Sequence, residues 1–269
     1  MMLAFNHLGR LGRLGNQMFQ YASLSGIAVR RGYEFGIPPS KFEDEWRSHQ
    51  LFEVFELPNL SKQNIKYLDV GNAPVVQERF FYFDEVLLNQ CPNDVSLWGF
   101  FQSEKYFKHI ENNIKEDFTF RNHILEPCKE MISQLYASPI ALHIRRTDYI
   151  TNSNHTILGL DYYQKALKEF DGEPVLVFSD DPEWCNQQEL FSDDRFLIAE
   201  GNTNYVDLCL MTLCSGHIIA NSSFSWWGAW LSKSAGKKVV HPSKWFGPNN
   251  ANKSTKDLFP EEWRMINEN

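Results

Sequence analysis

Residues 139–149, Pro-Ile-Ala-Leu-His-Ile-Arg-Arg-Thr-Asp-Tyr, run from a continuous apolar stretch straight into a polar cluster. A short unbroken apolar run of this kind predicts a strand buried on both faces. The same pattern continues downstream. Residues 160–170 have helical periodicity, 174–178 (Pro-Val-Leu-Val-Phe) form a second apolar run, and 181–191 a second helical stretch. Further runs at 196–199, 217–220 and 238–241 are separated by helical stretches at 205–214 and 224–231. Such strands alternating with helices of about ten residues predict a parallel, doubly wound α/β sheet. These sheets bind ligands at the carboxyl ends of their strands. Polar residues fall there: His143 and Arg145 close the first run, Ser179, Asp180 and Asp181 the second, and Asn221, Ser222 and Ser223 the fourth. The second half of the chain therefore reads as a ligand-binding domain.

The first half is less regular. It has a glycine-punctuated start, a helical stretch over 16–31 and an aromatic-rich middle over 78–107. Phe80, Phe81, Tyr82, Phe83 and Phe101 are open to two readings, core or sugar-stacking platform. With 269 residues and 43% hydrophobic content the chain can build one large core or two modest ones. A net charge of -8 argues against nucleic-acid binding, which needs a broad positive surface. Five cysteines at 91, 128, 185, 209 and 214 are odd in number and irregularly spaced, which suits reduced thiols in a cytoplasmic protein. No apolar run approaches the roughly 18 residues of a spanning helix, so at most peripheral membrane association is expected.

Several residues carry chemistry. Arg145 and Arg146 offer bidentate, non-titrating donors for phosphate oxygens, and Asp148 can buttress a guanidinium. Of Asp180 and Asp181, one is expected to cap the following helix and the other to accept from guanine or ribose. Asn221, Ser222, Ser223 and Ser225 place hydroxyls and N–H groups at a helix N-terminus, a ready phosphate site. Phe224, Trp226 and Trp227 are open to core or ligand roles, whereas Trp230 reads as core. The glycines around Gly12 predict a tight loop leading into a helix; the sequence has neither the dinucleotide fingerprint nor a Walker loop. No Asp-x-Asp metal motif occurs, so no metal or other cofactor is expected.

Four segments, in this order, resemble the α-1,2-fucosyltransferase family: Gly-Arg-Leu-Gly-Asn-Gln-Met-Phe-Gln-Tyr-Ala (12–22), Trp-Gly-Phe-Phe-Gln-Ser-Glu-Lys-Tyr-Phe (98–107), His-Ile-Arg-Arg-Thr-Asp-Tyr (143–149) and Asn-Ser-Ser-Phe-Ser-Trp-Trp (221–227). The resemblance implies a GT-B-like fold of two Rossmann-like domains, here divided as 1–130 and 131–269, with the active site in the interdomain cleft. It implies inverting transfer of L-fucose from GDP-β-L-fucose to the 2-hydroxyl of a terminal galactose on a glycan. By motif position Arg145 meets the β-phosphate, His143 and one of Asp180 or Asp181 the guanine, and residues 223–225 the phosphates. Asn16 and Arg13 approach the fucose and diphosphate from the N-terminal domain. A general base is left open among Asp148, His155 and the leaving phosphate itself. Two departures stand out. Thr147 is the residue that α-1,6 relatives often carry, and residues 6–11 intervene before the glycine loop, so the first strand is expected to be short or displaced. The alternatives are a fucosyltransferase of α-1,6-like linkage and a GDP-sugar-binding protein without catalysis.

Overall fold

The computed structural model describes residues 1–40, 48–60, 73–135 and 137–267. The chain forms two compact units, one of Met1–Arg121 with Ser254–Pro260 and one of Asn122–Lys253 with Glu261–Asn269. The expected 130/131 boundary falls inside the first helix of the second unit, and a short C-terminal segment belongs to the first. Each unit is the Rossmann-like α/β half that a GT-B-like fold calls for.

The first unit holds β1 (Met2–Ala4), α1 (Leu14–Arg31), β2 (Glu34–Gly36), α2 (Leu51–Val54), β3 (Val75–Gln77), α3 (Glu85–Gln90), β4 (Val95–Trp98) and α4 (Glu111–Asp117). Its sheet has the order β2-β1-β4-β3 and is parallel throughout. These strands are only three or four residues long. So short a strand shows no periodicity, which is why no sheet was legible here. Strand β1 ends at Ala4, as short as the intervening residues 6–11 led one to expect.

The second unit holds α5 (Asn122–Ser133), β5 (Ile140–Ile144), α6 (Leu160–Leu167), β6 (Val175–Ser179), α7 (Pro182–Asn186), β7 (Phe196–Ile198), α8 (Asn204–Leu213), β8 (Gly216–Ile218), α9 (Ser223–Leu231), β9 (Val239–Pro242) and β10 (Arg264–Ile266). Its parallel sheet has the order β10-β9-β8-β5-β6-β7. Strand β5 is buried along its whole length, as the unbroken apolar run requires. Ile140, Leu142, Val175, Val177 and Ile218 join Tyr162, Tyr163 and Phe170 in one core. The helix expected over 181–191 breaks into α7 and a separate 3-10 turn at Glu189–Phe191. None of residues 186–190 is fully buried, and Leu190 alone of them packs against the core, partly buried, so little apolar burial carries the helix across them. Strand β10, an edge strand with two exposed residues of three, had no signal in the sequence.

All five cysteines are buried and none is in a disulfide. No helix among the described residues is long and apolar enough to cross a membrane.

Candidate active site

In the second unit, strand order runs outward from β5 in one direction through β6 and β7, and in the other through β8 and β9. The reversal lies between β5 and β8, the position at which an open parallel sheet presents its ligand crevice. Adjacency of β8, β5 and β6 brings the three polar clusters to one edge.

Arg145 follows β5 directly. Its guanidinium, 15% exposed, pairs with Asp148 at 2.5 Å and with Asp180 at 3.1 Å, and lies over the Tyr149 ring. Asp180 also accepts from the backbone N–H groups of Arg146 (2.8 Å) and Thr147 (3.1 Å) and from the Thr147 hydroxyl. Burial pushes the Asp180 carboxyl up, but the bonds from Thr147 and Arg146 and the Arg145 charge outweigh it and hold the group below its ordinary value. Asp181 caps α7 by accepting from Trp184 N at 3.2 Å, with Pro182 at the first helical position. Its other oxygen accepts from Arg146 at 3.2 Å, and the Arg146 guanidinium lies 3.9 Å from the Trp184 ring centroid. Both aspartates are thus engaged on both oxygens by protein groups. The capping half of the expectation is seen in Asp181; Asp180 holds the 145–147 loop.

His143 and Ser225 bridge the switch point, Nδ1 to Oγ at 2.9 Å. Burial first, then the Arg145 charge, depress the His143 pKa to about 3, so the imidazole is neutral. The Tyr149 hydroxyl makes a second bridge by donating to Asn221 O at 3.1 Å. Tyr149 stacks on His155 with centroids 4.1 Å apart. Burial lowers the His155 pKa, and Arg145 and Lys253 add to this against the opposing charge of Asp148.

At the α9 terminus, Ser222 accepts from Phe224 N, and Ser222, Ser223 and Phe224 are half-buried. Phe224 lies beside the His143 ring. Asn221 is buried, and its amide donates to Thr156 O at 2.8 Å and Trp245 O at 3.0 Å, so it ties two loops together. Trp226 and Trp227 are fully buried and Trp230 nearly so; all three are core.

Two further residues carried little signal in the sequence. Tyr149 was visible only as part of a motif. Asp207 lies in the first turn of α8, the helix that follows β7. Burial raises its pKa to about 6, against a hydrogen bond from Asn202 Nδ2 at 2.9 Å. An acid in an otherwise apolar helical stretch, Tyr-Val-Asp-Leu-Cys-Leu-Met, was the available signal.

In the first unit the glycine loop leads into α1 as expected. Gly12 has φ +86, and a Cβ there would come within 1.9 Å of the Asn16 amide nitrogen, so only glycine lets that side chain lie across the loop. Asn16 Oδ1 accepts from Gln102 Nε2 at 2.6 Å. Gln17 and Gln20 donate to the carbonyls of Gly12 and Leu11. Exposed Arg13 stands at the N-cap of α1 without a capping side chain, and no acid occupies the first turn. The positive end of an 18-residue helix is therefore uncompensated by its own sequence.

Among the described residues no group of three or more His, Cys, Asp or Glu is placed to hold a metal ion.

A family model, Glycosyl transferase family 11, matches residues 4–267. The chain is 30% identical to the O-antigen biosynthesis glycosyltransferase WbnK of Escherichia coli, with 92% of this chain and 97% of that protein covered. It is 31% identical to an alpha-1,2-colitosyltransferase of Escherichia coli, with 95% and 96% covered. Among solved structures, the crystal structure of POFUT1 in complex with GDP has the same fold, with TM-score 0.56 at 13% identity over 88% of this chain and 97% of that one. The two parallel α/β units, the polar edge at the switch point and a match spanning nearly the whole chain agree: the chain belongs to glycosyl transferase family 11.

Proposed function

We propose that the protein transfers L-fucose from GDP-β-L-fucose to the 2-hydroxyl of a terminal galactose, with inversion and without a metal. The observation that carries this reading is Arg145, locked between Asp148 and Asp180 at the carboxyl end of β5. A guanidinium fixed there neutralises the charge that grows on the β-phosphate as the sugar–oxygen bond breaks, the task a metal performs in other transferases. The neutral His143 and the hydroxyls at the start of α9 line the same edge and complete the diphosphate site. The base is assigned to Asp207. Asp180 and Asp181 are engaged by protein groups, whereas Asp207, with a pKa raised by burial to about 6, accepts among the described residues from Asn202. Guanine N1–H and N2–H₂ supply the charge-assisted donors such a group lacks. Arg13 and Asn16, at the uncapped start of α1, take the donor's sugar and phosphate side.

The acceptor proton goes to His155, Asp148 or the departing phosphate. The depressed pKa of His155 leaves it neutral and able to accept at pH 7. The α-1,2 linkage is supported by the colitosyltransferase relative, and that same name favours a second donor reading. Colitose is fucose without its 3-hydroxyl, so a site for one needs little change to take the other.

The test offers purified protein GDP-fucose and GDP-colitose in parallel, with EDTA, against a panel of β-galactosides, and maps the product by NMR. Sugar on galactose O2 is the expected result, and the faster donor names the substrate. Transfer to another hydroxyl would move the protein toward the linkage that Thr147 suggests. GDP bound weakly, with no transfer from either donor, would overturn the reading.

A further inference from the structure

We infer that Glu78, outside every motif assigned to the site, is a positioning residue that sets the Asn16–Gln102 pair; this rests on the donor-side role proposed above for Asn16. In the first unit β3 and β4 are neighbours, with Gln77 paired to Trp98. Glu78 therefore leaves β3 beside the residues that leave β4, and its N–H continues the ladder to Trp98 O at 2.8 Å. Its carboxylate crosses to the next turn. Oε2 accepts from Phe100 N and Oε1 from Phe101 N, each at 2.8 Å.

That turn is strained. Phe101 is fully buried at φ +52, a conformation L residues seldom adopt. Gly99 has φ +157, and a Cβ on it would meet Glu78 Cβ at 2.3 Å, so a glycine is what lets the carboxylate come so close. A buried residue in a disfavoured conformation persists where its surroundings over-determine it, and such strain collects at functional sites.

The far side of the turn is bonded to a single face of α1. Gly99 O accepts from Gln20 Nε2 at 3.1 Å, Phe101 O from Ser23 Oγ at 3.1 Å, and Gln102 Nε2 donates to Asn16 Oδ1 at 2.6 Å. Positions 16, 20 and 23 are spaced as helical neighbours. Gln20 reaches on to Leu11 O at 3.0 Å, which ties in the glycine loop. Gln102 is 6% exposed and its Oε1 has no partner among the described residues, so its orientation is set by the turn and by its bond to Asn16. Glu78 thus fixes the turn, the turn aims Gln102, and Gln102 orients Asn16. An amide at 78 would offer one acceptor in place of two and turn an NH₂ toward a backbone N–H.

The experiment uses Glu78→Gln and Gln102→Ala in the full chain. Glu78→Gln should lower kcat about 10- to 100-fold, the effect of misplacing a group by an ångström, while GDP affinity by calorimetry stays within about twofold. On an Asn16→Ala background it should cost less than about twofold further, because coupled residues are not additive. Gln102→Ala leaves the Glu78 bonds intact and should reproduce the kcat loss at an unchanged melting temperature. Independent, multiplying losses, or normal turnover in Gln102→Ala, would overturn the inference. Amide hydrogen exchange gives a reading separate from activity. In Glu78→Gln, faster exchange should appear at 14–17 together with 99–102; a rise confined to 99–102 would sink the coupling. A wild-type chain that binds GDP weakly and transfers neither sugar would refute the proposed function, and the exchange result would still decide whether Glu78 sets the turn and the start of α1.

Discussion

Arg145 has two carboxylate partners and a side chain only 15% exposed, so its position is fixed before any ligand arrives. Arg145→Ala should lower kcat by roughly 10²–10³, or about 3–4 kcal/mol, by comparison with the loss of one preorganised donor to a developing anion. Arg145→Lys should recover little of it, since an ammonium cannot fork to both aspartates and a phosphate. Steady-state kinetics with saturating donor checks both, and an alanine enzyme of near-normal turnover would remove Arg145 from the mechanism. Asp207 makes the opposite kind of prediction. Its folded pKa of about 6 lies above the ordinary value, so its charge disfavours the folded state at neutral pH. Discounted for partial exposure, Asp207→Asn should stabilise by about 1–2 kcal/mol at pH 7. The same change should weaken GDP binding by about tenfold or more, because a charge-assisted pair is lost. Thermal melts and calorimetry read the two effects; unchanged GDP affinity would unseat Asp207 as the base reader. Arg145 was legible in the sequence because two arginines closing an apolar run mark a strand end suited to an anion. Asp207 was not, because one acid on a helix reads as solvent-facing until packing shows that it is partly buried.

At the scale of the element, legibility followed length. Strand β5 and helices α8 and α9 carry enough apolar residues for a period to show, and they fell within a residue or two of the expected bounds. The strands of the first unit do not, because their three or four residues gain order from their neighbours and not from themselves. The Trp pair of α9 was ambiguous for a related reason. Aromatic residues just inside a helix are more often core than ligand contacts but serve as either, and full burial of Trp226 and Trp227 settles them as core. The entry to α1 supplies the prediction at this scale. Gly12→Ala places a Cβ against the Asn16 amide at φ +86, which should cost about 1–3 kcal/mol in stability. It should also displace Asn16, so kcat falls along with the midpoint in urea. A variant with both unchanged would show that the loop and Asn16 move independently.

For the whole molecule, buried histidines govern the acid limb of stability. Burial, reinforced by Arg145 for His143 and by Lys237 for His217, depresses both pKa values to about 3. The unfolded chain binds protons on these groups from about pH 6.5 downward while the folded chain does not. Their stabilisation is complete above that pH and is lost as pH falls toward 3, at up to about 2.7 kcal/mol per pH unit for the pair. Asp207 acts with the reverse sign between its unfolded and folded values and over roughly pH 4–6 offsets one of these two histidines, while His49, His109 and His155, also lowered by burial, add to the acid-side loss. Urea midpoints at pH 5, 6, 7 and 8 should therefore fall on the acid side; a flat profile would mean that water reaches both imidazoles. Taken over the chain, the parallel α/β character of the second unit, the polar edge at its strand ends and the family were all legible in the amino-acid sequence. Apolar runs and polar strand termini are local patterns, and a local pattern survives in one dimension. Long-range packing alone shows that Asp180 holds a loop, that Asp207 is partly buried at the start of α8, that Asn221 ties loops together, and that Glu78 reaches the turn bonded to Asn16. Each depends on which strands are neighbours, and the order of strands in a sheet is set by long-range packing that no stretch of sequence records.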